Sequence, residues 1–154
     1  MNEYRIEKGR VSVALTLVDG THLAGDVFVQ AHARNRHGRE EASDILNEAE
    51  PFFPLAISSE TTLLIAKDQV QEVEIPPAAG TAPDAETGAR PAQVEITLAS
   101  GLVRSGSVIL ELPIDRPRLL DFLNRSRERF LTLHTGDGVR LLNRAMVSHV
   151  RQLS

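Results

Sequence analysis

The stretch His32-Ala33-Arg34-Asn35-Arg36-His37-Gly38-Arg39-Glu40-Glu41 places three arginines and two histidines within eight residues. Guanidinium groups pair with phosphate through two parallel hydrogen bonds, so Arg34, Arg36 and Arg39 form a candidate anion-binding loop. A metal site is the weaker reading: the His and Glu spacing matches no closed ligand set, and adjacent arginines repel a cation. A second basic group, Arg116, Arg118, Arg125, Arg127 and Arg129, surrounds a helix signal near the C-terminus. Continued as a helix, it would carry positions 118, 125 and 129 on one side, so Arg125, Arg127 and Arg129 are candidate contacts for nucleic acid or a phosphorylated ligand. Aromatic residues make up only 4% of the chain. Phe122 and Phe130 read as core, which removes the stacking platforms of single-strand binders. A solvated loop and a solvated helix face are the simpler readings of both groups.

Nothing else in the chain points to catalysis. There is no cysteine, so thiolate chemistry, disulfides and zinc–thiolate sites are excluded. Phosphate-binding glycine loops, the Gly-x-Ser-x-Gly elbow and His-Glu-x-x-His are all missing. His22, His134 and His149 stand singly, and Ser58-Ser59 has no neighbouring base. The expectation is a protein that is not an enzyme, with no catalytic residue, cofactor or metal.

The elements that would position these groups occur twice. Val13-x-Leu15-Thr16-Leu17-x-x-Gly20-x4-Gly25-x-Val27-x-Val29 recurs without a gap as Val94-x-Ile96-Thr97-Leu98-x-x-Gly101-x4-Gly106-x-Val108-x-Leu110. Downstream, Asp44-Ile45-Leu46-Asn47 recurs as Asp121-Phe122-Leu123-Asn124. Gly20, Gly25, Asp44 and Asn47, with Gly101, Gly106, Asp121 and Asn124, are therefore motif residues of a repeated fold. Asp44 and Asn47 lie at i and i+3 on one helix face. They read as structural: the aspartate bonding nearby amides, the asparagine ending the helix in a left-handed conformation.

Arg10–Leu17 and His22–Gln30 alternate apolar and polar residues as half-buried strands do, with Asp19-Gly20 marking the hairpin turn between them. Gly25 and Gly106, inside strands, mark a bulge or sharp bend. A short helix follows over 40–48, then strands over 52–57, 62–66 and 70–75. The second copy repeats this, with a proline-led helix start at Asp115-Arg116-Pro117 and strands over 130–135, 139–142 and 147–152. Residues 76–91, rich in proline, alanine and glycine, read as a linker. The domains are thus 1–75, 76–91 and 92–154, each repeat ordered β-β-α-β-β-β. The expected fold class is mainly β: two duplicated small five-stranded barrel-like domains of SH3-like or Sm-like type, each with a helix between strands 2 and 3. A two-layer unit with the helix capping the sheet is the alternative.

The Gly-x4-Gly hairpin, the Asp-x-Leu-Asn helix, the Phe-x-x-Leu strand and the closing valine strand resemble a family of small bacterial domains that occur singly or in tandem. The resemblance spans Val11 to Ile75 and Val94 to Val150 and implies a fold, with no activity attached. The hairpin, with Leu141-Leu142-Asn143-Arg144-Ala145-Met146-Val147, is also similar to Sm-like domains, although Asn143-Arg144 stands where their second motif has Arg-Gly. The arginine-rich stretch before a small barrel resembles the cyclic-dinucleotide-binding PilZ domains. Their Asp/Asn-x-Ser-x-x-Gly partner motif is absent, so Arg34, Arg36 and Arg39 do not take that role.

Charge divides the copies. Residues 1–75 carry 7 basic and 13 acidic side chains, a net −6, and residues 91–154 carry 9 and 6, a net +3. Opposite signs draw surfaces together. With no apolar run long enough to cross a membrane and no leader-like N-terminus, the expected setting is the bacterial cytoplasm. The expected partner is a protein, either another copy in a homodimer or a different chain; nucleic acid is the alternative, and no membrane is involved. Repeats of roughly 65–75 residues bury little surface alone.

Overall fold

The computed structural model describes residues 8–30, 41–77, 90–110 and 119–153. It divides into two compact units, Met1–Ile75 and Pro76–Ser154. Across the described residues the chain is mainly β, with ten strands and two short helices.

In the first unit β1 (Lys8–Leu17) and β2 (His22–Gln30) form a hairpin. After α1 (Ala42–Asn47) come β3 (Phe52–Ala56), β4 (Thr62–Ala66), a 3-10 turn at Lys67–Gln69 and β5 (Val70–Ile75). Hydrogen bonding orders them β5-β1-β2-β3-β4, all antiparallel. The second unit repeats this with β6 (Arg90–Leu98), β7 (Val103–Leu110), α2 (Leu119–Arg125), β8 (Phe130–Thr135), β9 (Gly138–Asn143), a 3-10 turn at Arg144–Met146 and β10 (Val147–Gln152). Its order is β10-β6-β7-β8-β9. Within each unit the two end strands are not paired to each other among the described residues, so each ladder is open. β6 begins at Arg90, two residues inside the stretch expected to be linker.

The alternation in sequence becomes an alternation in burial. Val13, Leu15, Val27 and Val29 are buried in the first unit. In the second, Val94, Ile96, Leu98, Val108 and Leu110 pack with Leu119, Leu133 and Leu142. Each helix closes this core with one stripe: Ala42 and Leu46 in α1, Leu119 with Phe122 and Leu123 in α2.

The repeated glycines do two different jobs. Gly20 and Gly101 hold φ of 92° and 94° at the hairpin tips. There Gly20 N–H donates to Leu17 at 2.9 Å and Gly101 N–H to Leu98 at 2.8 Å, a turn closed by a left-handed residue. Gly25 and Gly106 have no unusual φ, and of the bulge or sharp bend expected from sequence no bulge is found, since the β1–β2 and β6–β7 registers run through them without a shift; each glycine marks a close approach. A Cβ on Gly25 would meet the Ala56 carbonyl oxygen at 2.6 Å, and one on Gly106 the His134 carbonyl oxygen at 2.5 Å. These are the points where β2 and β7 each hand over to the next strand, through the single pairs Asp26–Ala56 and Ser107–His134.

Candidate functional site

The sequence candidates separate into three groups. Arg34, Arg36 and Arg39 lie outside the described residues. Arg125, Arg127 and Arg129 do not form a helical face: α2 ends at Arg125, and the last α-type bond runs from Ser126 N–H to Phe122 at 2.9 Å. Arg125 and Arg127 are exposed, Arg129 is half-buried, and the neighbouring Phe130 is fully buried.

The motif residues belong to the fold. The Asp44 carboxylate accepts from the Glu41 N–H at 2.7 Å, tying down the first turn of α1. Asp121 takes the equivalent third position of α2. The left-handed role expected of Asn47 and Asn124 is not taken up, because no described non-glycine residue has positive φ. α1 instead ends on Glu48 in an extended conformation, and its carbonyls are satisfied from elsewhere. Lys67 is 1% exposed, and its Nζ donates to the Ile45 and Glu48 carbonyls at 2.7 and 3.1 Å. Arg144 occupies the same place in the second unit, and its Nη2 donates to the Leu123 carbonyl. Both cations open the 3-10 turn, and both backbone N–H groups reach the residue before the third strand: Lys67 to Pro51 at 2.8 Å, Arg144 to Arg129 at 3.0 Å. The two cations hold the same place in the repeat and each reaches carbonyls of its own helix, though not the matching ones: Ile45 and Glu48 in the first unit, Leu123, the counterpart of Leu46, in the second.

Polar chemistry found in one unit only gathers on the β1–β2 hairpin. The Arg10 guanidinium lies 5.3 Å from the Phe28 ring centre and 3.7 Å from the Asp26 carboxylate, which also accepts from Ser12 at 2.9 Å. They border an open hollow of about 300 Å³ that continues to Ile57, Ser58 and Thr62. By register the second unit has Pro91, Ser107 and Ile109 in place of Arg10, Asp26 and Phe28. The ion pair is long and largely solvated, so it holds the two side chains only weakly. Ser58 Oγ accepts from the Glu60 and Thr61 N–H groups, closing the turn between β3 and β4. Among the described residues no three His, Asp or Glu side chains gather as a metal would require, and no helix is long and apolar enough to cross a membrane.

Beside this hollow, the β3–β4 hairpin turns an apolar surface outward. Strand geometry sends alternate side chains to opposite faces, so Phe53, Leu55 and Ile65 are buried while Phe52, Pro54 and Leu64 face away. Phe52 is 57% exposed and Leu64 72%. Pro54 sits opposite Leu64 and Phe52 opposite Ala66, so the exposed groups are cross-strand or diagonal neighbours. Among the described residues β4 is an end strand bonded only to β3, and its five residues carry no charge. Exposed end strands are ordinarily blunted by charge, proline or cover; β4 itself holds neither a charge nor a proline. The sequence signal lies in the doublets Phe52-Phe53 and Leu63-Leu64, since one member of each must point outward.

No protein-family model matches the chain, and no curated protein or solved structure matches it either.

Proposed function

We propose that the protein is a non-catalytic interaction module of the bacterial cytoplasm, built by tandem duplication of a small barrel-like domain of SH3-like or Sm-like type. Support for the barrel-like reading comes from the strand order repeated in both units, the two handover glycines, and the 3-10 turn between the fourth and fifth strands. Five short antiparallel strands with a corner at the second are what such a half-open barrel needs.

The observation that carries the interaction reading is the uncharged end strand β4 with Phe52 and Leu64 exposed beside it. Apolar groups clustered on an open strand edge favour strand-to-strand binding to a protein. Sedimentation velocity of the wild type and of the Phe52→Ser/Leu64→Ser double variant tests this, each run alone and with extract of the native host. The expected result is species larger than the monomer in the wild type and their loss in the variant, with the thermal midpoint unchanged. Equal behaviour of the two chains overturns the reading.

A further inference from the structure

The apolar surface of the β3–β4 hairpin lies in a one-sided charge setting. From Glu41 to Ala66 the chain holds five acids (Glu41, Asp44, Glu48, Glu50 and Glu60) and no lysine, arginine or histidine. The first base that follows, Lys67, is directed onto the Ile45 and Glu48 carbonyls at the end of α1. Across the adjoining hollow, Arg10 has the Asp26 carboxylate 3.7 Å away.

The acids bracket the apolar residues. Phe52 lies opposite Ala66, and Ala56 opposite Thr62. Exposed Glu50, just before β3, and exposed Asp68, just after β4, therefore stand at one end of the hairpin. Exposed Glu60 stands in the turn at the other end. Between them Phe52, Pro54 and Leu64 face outward without charge. These are properties of the first unit taken by itself. For that unit the exposures of 57% for Phe52 and 72% for Leu64 are lower bounds, since removing a neighbour only uncovers surface.

We propose that β4 takes as its neighbour an extended segment of another protein, in which alternating apolar residues are flanked at both ends by arginine or lysine. This rests on the interaction-module reading and names the chemistry of its partner. On the side of β4 away from β3, the backbone N–H and C=O groups have no ladder partner among the described residues, and an added strand completes them. Its apolar side chains cover Leu64, and its basic flanks meet Glu60 at one end and Glu50 and Asp68 at the other. Because acids stand at both ends, the match holds for parallel and antiparallel pairing alike. The same acids repel the phosphates of nucleic acid and of anionic lipid. They also disfavour the β4 edge of a second copy, which in antiparallel pairing would bring Glu60 beside Asp68.

The probe is a fluorescent peptide, Arg-Arg-Val-Thr-Val-Thr-Val-Arg-Arg, beside two peptides of the same centre with glutamine or glutamate replacing every arginine. Each is titrated with the full chain by anisotropy across a salt series. The arginine peptide is expected to bind roughly three-fold to ten-fold tighter than the glutamine peptide at low salt, the scale of a few exposed ion pairs, with the gap closing as salt rises. The glutamate peptide is expected to bind weakest, and Glu50→Lys/Glu60→Lys to invert the order of the arginine and glutamate peptides. Phe52→Ser/Leu64→Ser is expected to abolish binding with circular dichroism unchanged, since both side chains are already exposed. Methylating the amide nitrogens of one alternate set of peptide residues should abolish binding, and methylating the other set should not, because a strand presents only every second residue's N–H to its neighbour. Equal affinity for the three peptides, lost in Phe52→Ser/Leu64→Ser, overturns the basic partner while leaving the interaction reading intact. Arginine-peptide binding that survives in that variant, or tolerates both methylated sets, is charge attraction alone and overturns the strand pairing. No binding of any peptide overturns the proposal itself, and the sedimentation comparison of wild type and double variant still decides the broader reading.

Discussion

Lys67 Nζ lies 2.7 Å from the carbonyl oxygen of Ile45, joining the 3-10 turn after β4 to the end of a helix 22 residues earlier. Helix ends leave carbonyls without intrahelical partners, and α1 ends without the glycine that commonly supplies them. A buried ammonium serves instead, donating to Glu48 as well. Lys67→Met keeps most of the apolar stem and removes the donors. It is expected to destabilise the protein by about 1.5–3 kcal/mol, the usual range for hydrogen bonds to a charged group. Lys67→Arg, the side chain the second unit uses at Arg144, is expected to lose less. Chemical denaturation of the three chains checks the order; equal midpoints for wild type and Lys67→Met would remove the cap from the account.

The two glycine pairs separate backbone strain from steric exclusion. Nothing lies within 4 Å of a Cβ on Gly20, so Gly20→Ala meets only the cost of a left-handed residue, about 1–2 kcal/mol. A Cβ on Gly25 meets a backbone oxygen at 2.6 Å and Leu55 Cγ at 3.0 Å, so the strands must part. Gly25→Ala is therefore expected to cost more than Gly20→Ala, at or above the ~1–3 kcal/mol of overpacking. Gly106→Ala should behave likewise in its own unit. Thermal melts of the alanine variants decide it, and a Gly25→Ala milder than Gly20→Ala would contradict the close approach.

What could be read from sequence followed from period and repetition. Alternation marked Val13, Leu15, Val27 and Val29 as one inward face, and all four are buried. Asp19-Gly20 located a turn because only a glycine takes its φ cheaply. The repeat also identified Gly25 and Gly106, but the reason for them is a neighbour remote in sequence, which no local pattern reveals. The left-handed Asn47 failed for a related reason: local propensity proposed it, while the carbonyls at the end of α1 are met by a lysine distant in sequence. The β3–β4 face was hidden because two adjacent apolar residues say that one points outward without saying which.

At the first hairpin tip the Thr21 side chain and then its N–H, at 2.9 Å, donate to the Asp19 carboxylate and hold its pKa below the ordinary aspartate value. A depressed carboxylate stabilises the fold when ionised. Its contribution is complete above the ordinary aspartate pKa and is lost as pH falls through the lower folded-state value. The carboxyl signal of Asp19 in an NMR titration should therefore move at a lower pH than that of a free aspartate, and Thr21→Val should raise its midpoint toward the ordinary value. Identical midpoints in the two chains would show that Thr21 does not set it.

Arg125 and Arg127 give the nucleic-acid alternative its remaining described footing, and the two are not equivalent. Arg125 closes α2, where a cation meets the negative end of the helix dipole. Arg127 follows the helix and is exposed. Arg125→Glu is expected to cost about 0.3–1 kcal/mol through that dipole, and Arg127→Ala to stay within about 0.5 kcal/mol of wild type. If the interaction-module reading holds, a fluorescent single-stranded oligonucleotide shows no binding that these residues control. Affinity that falls steeply with salt and vanishes in Arg125→Ala/Arg127→Ala would reverse the preference, because counterion release is the signature of phosphate contacts.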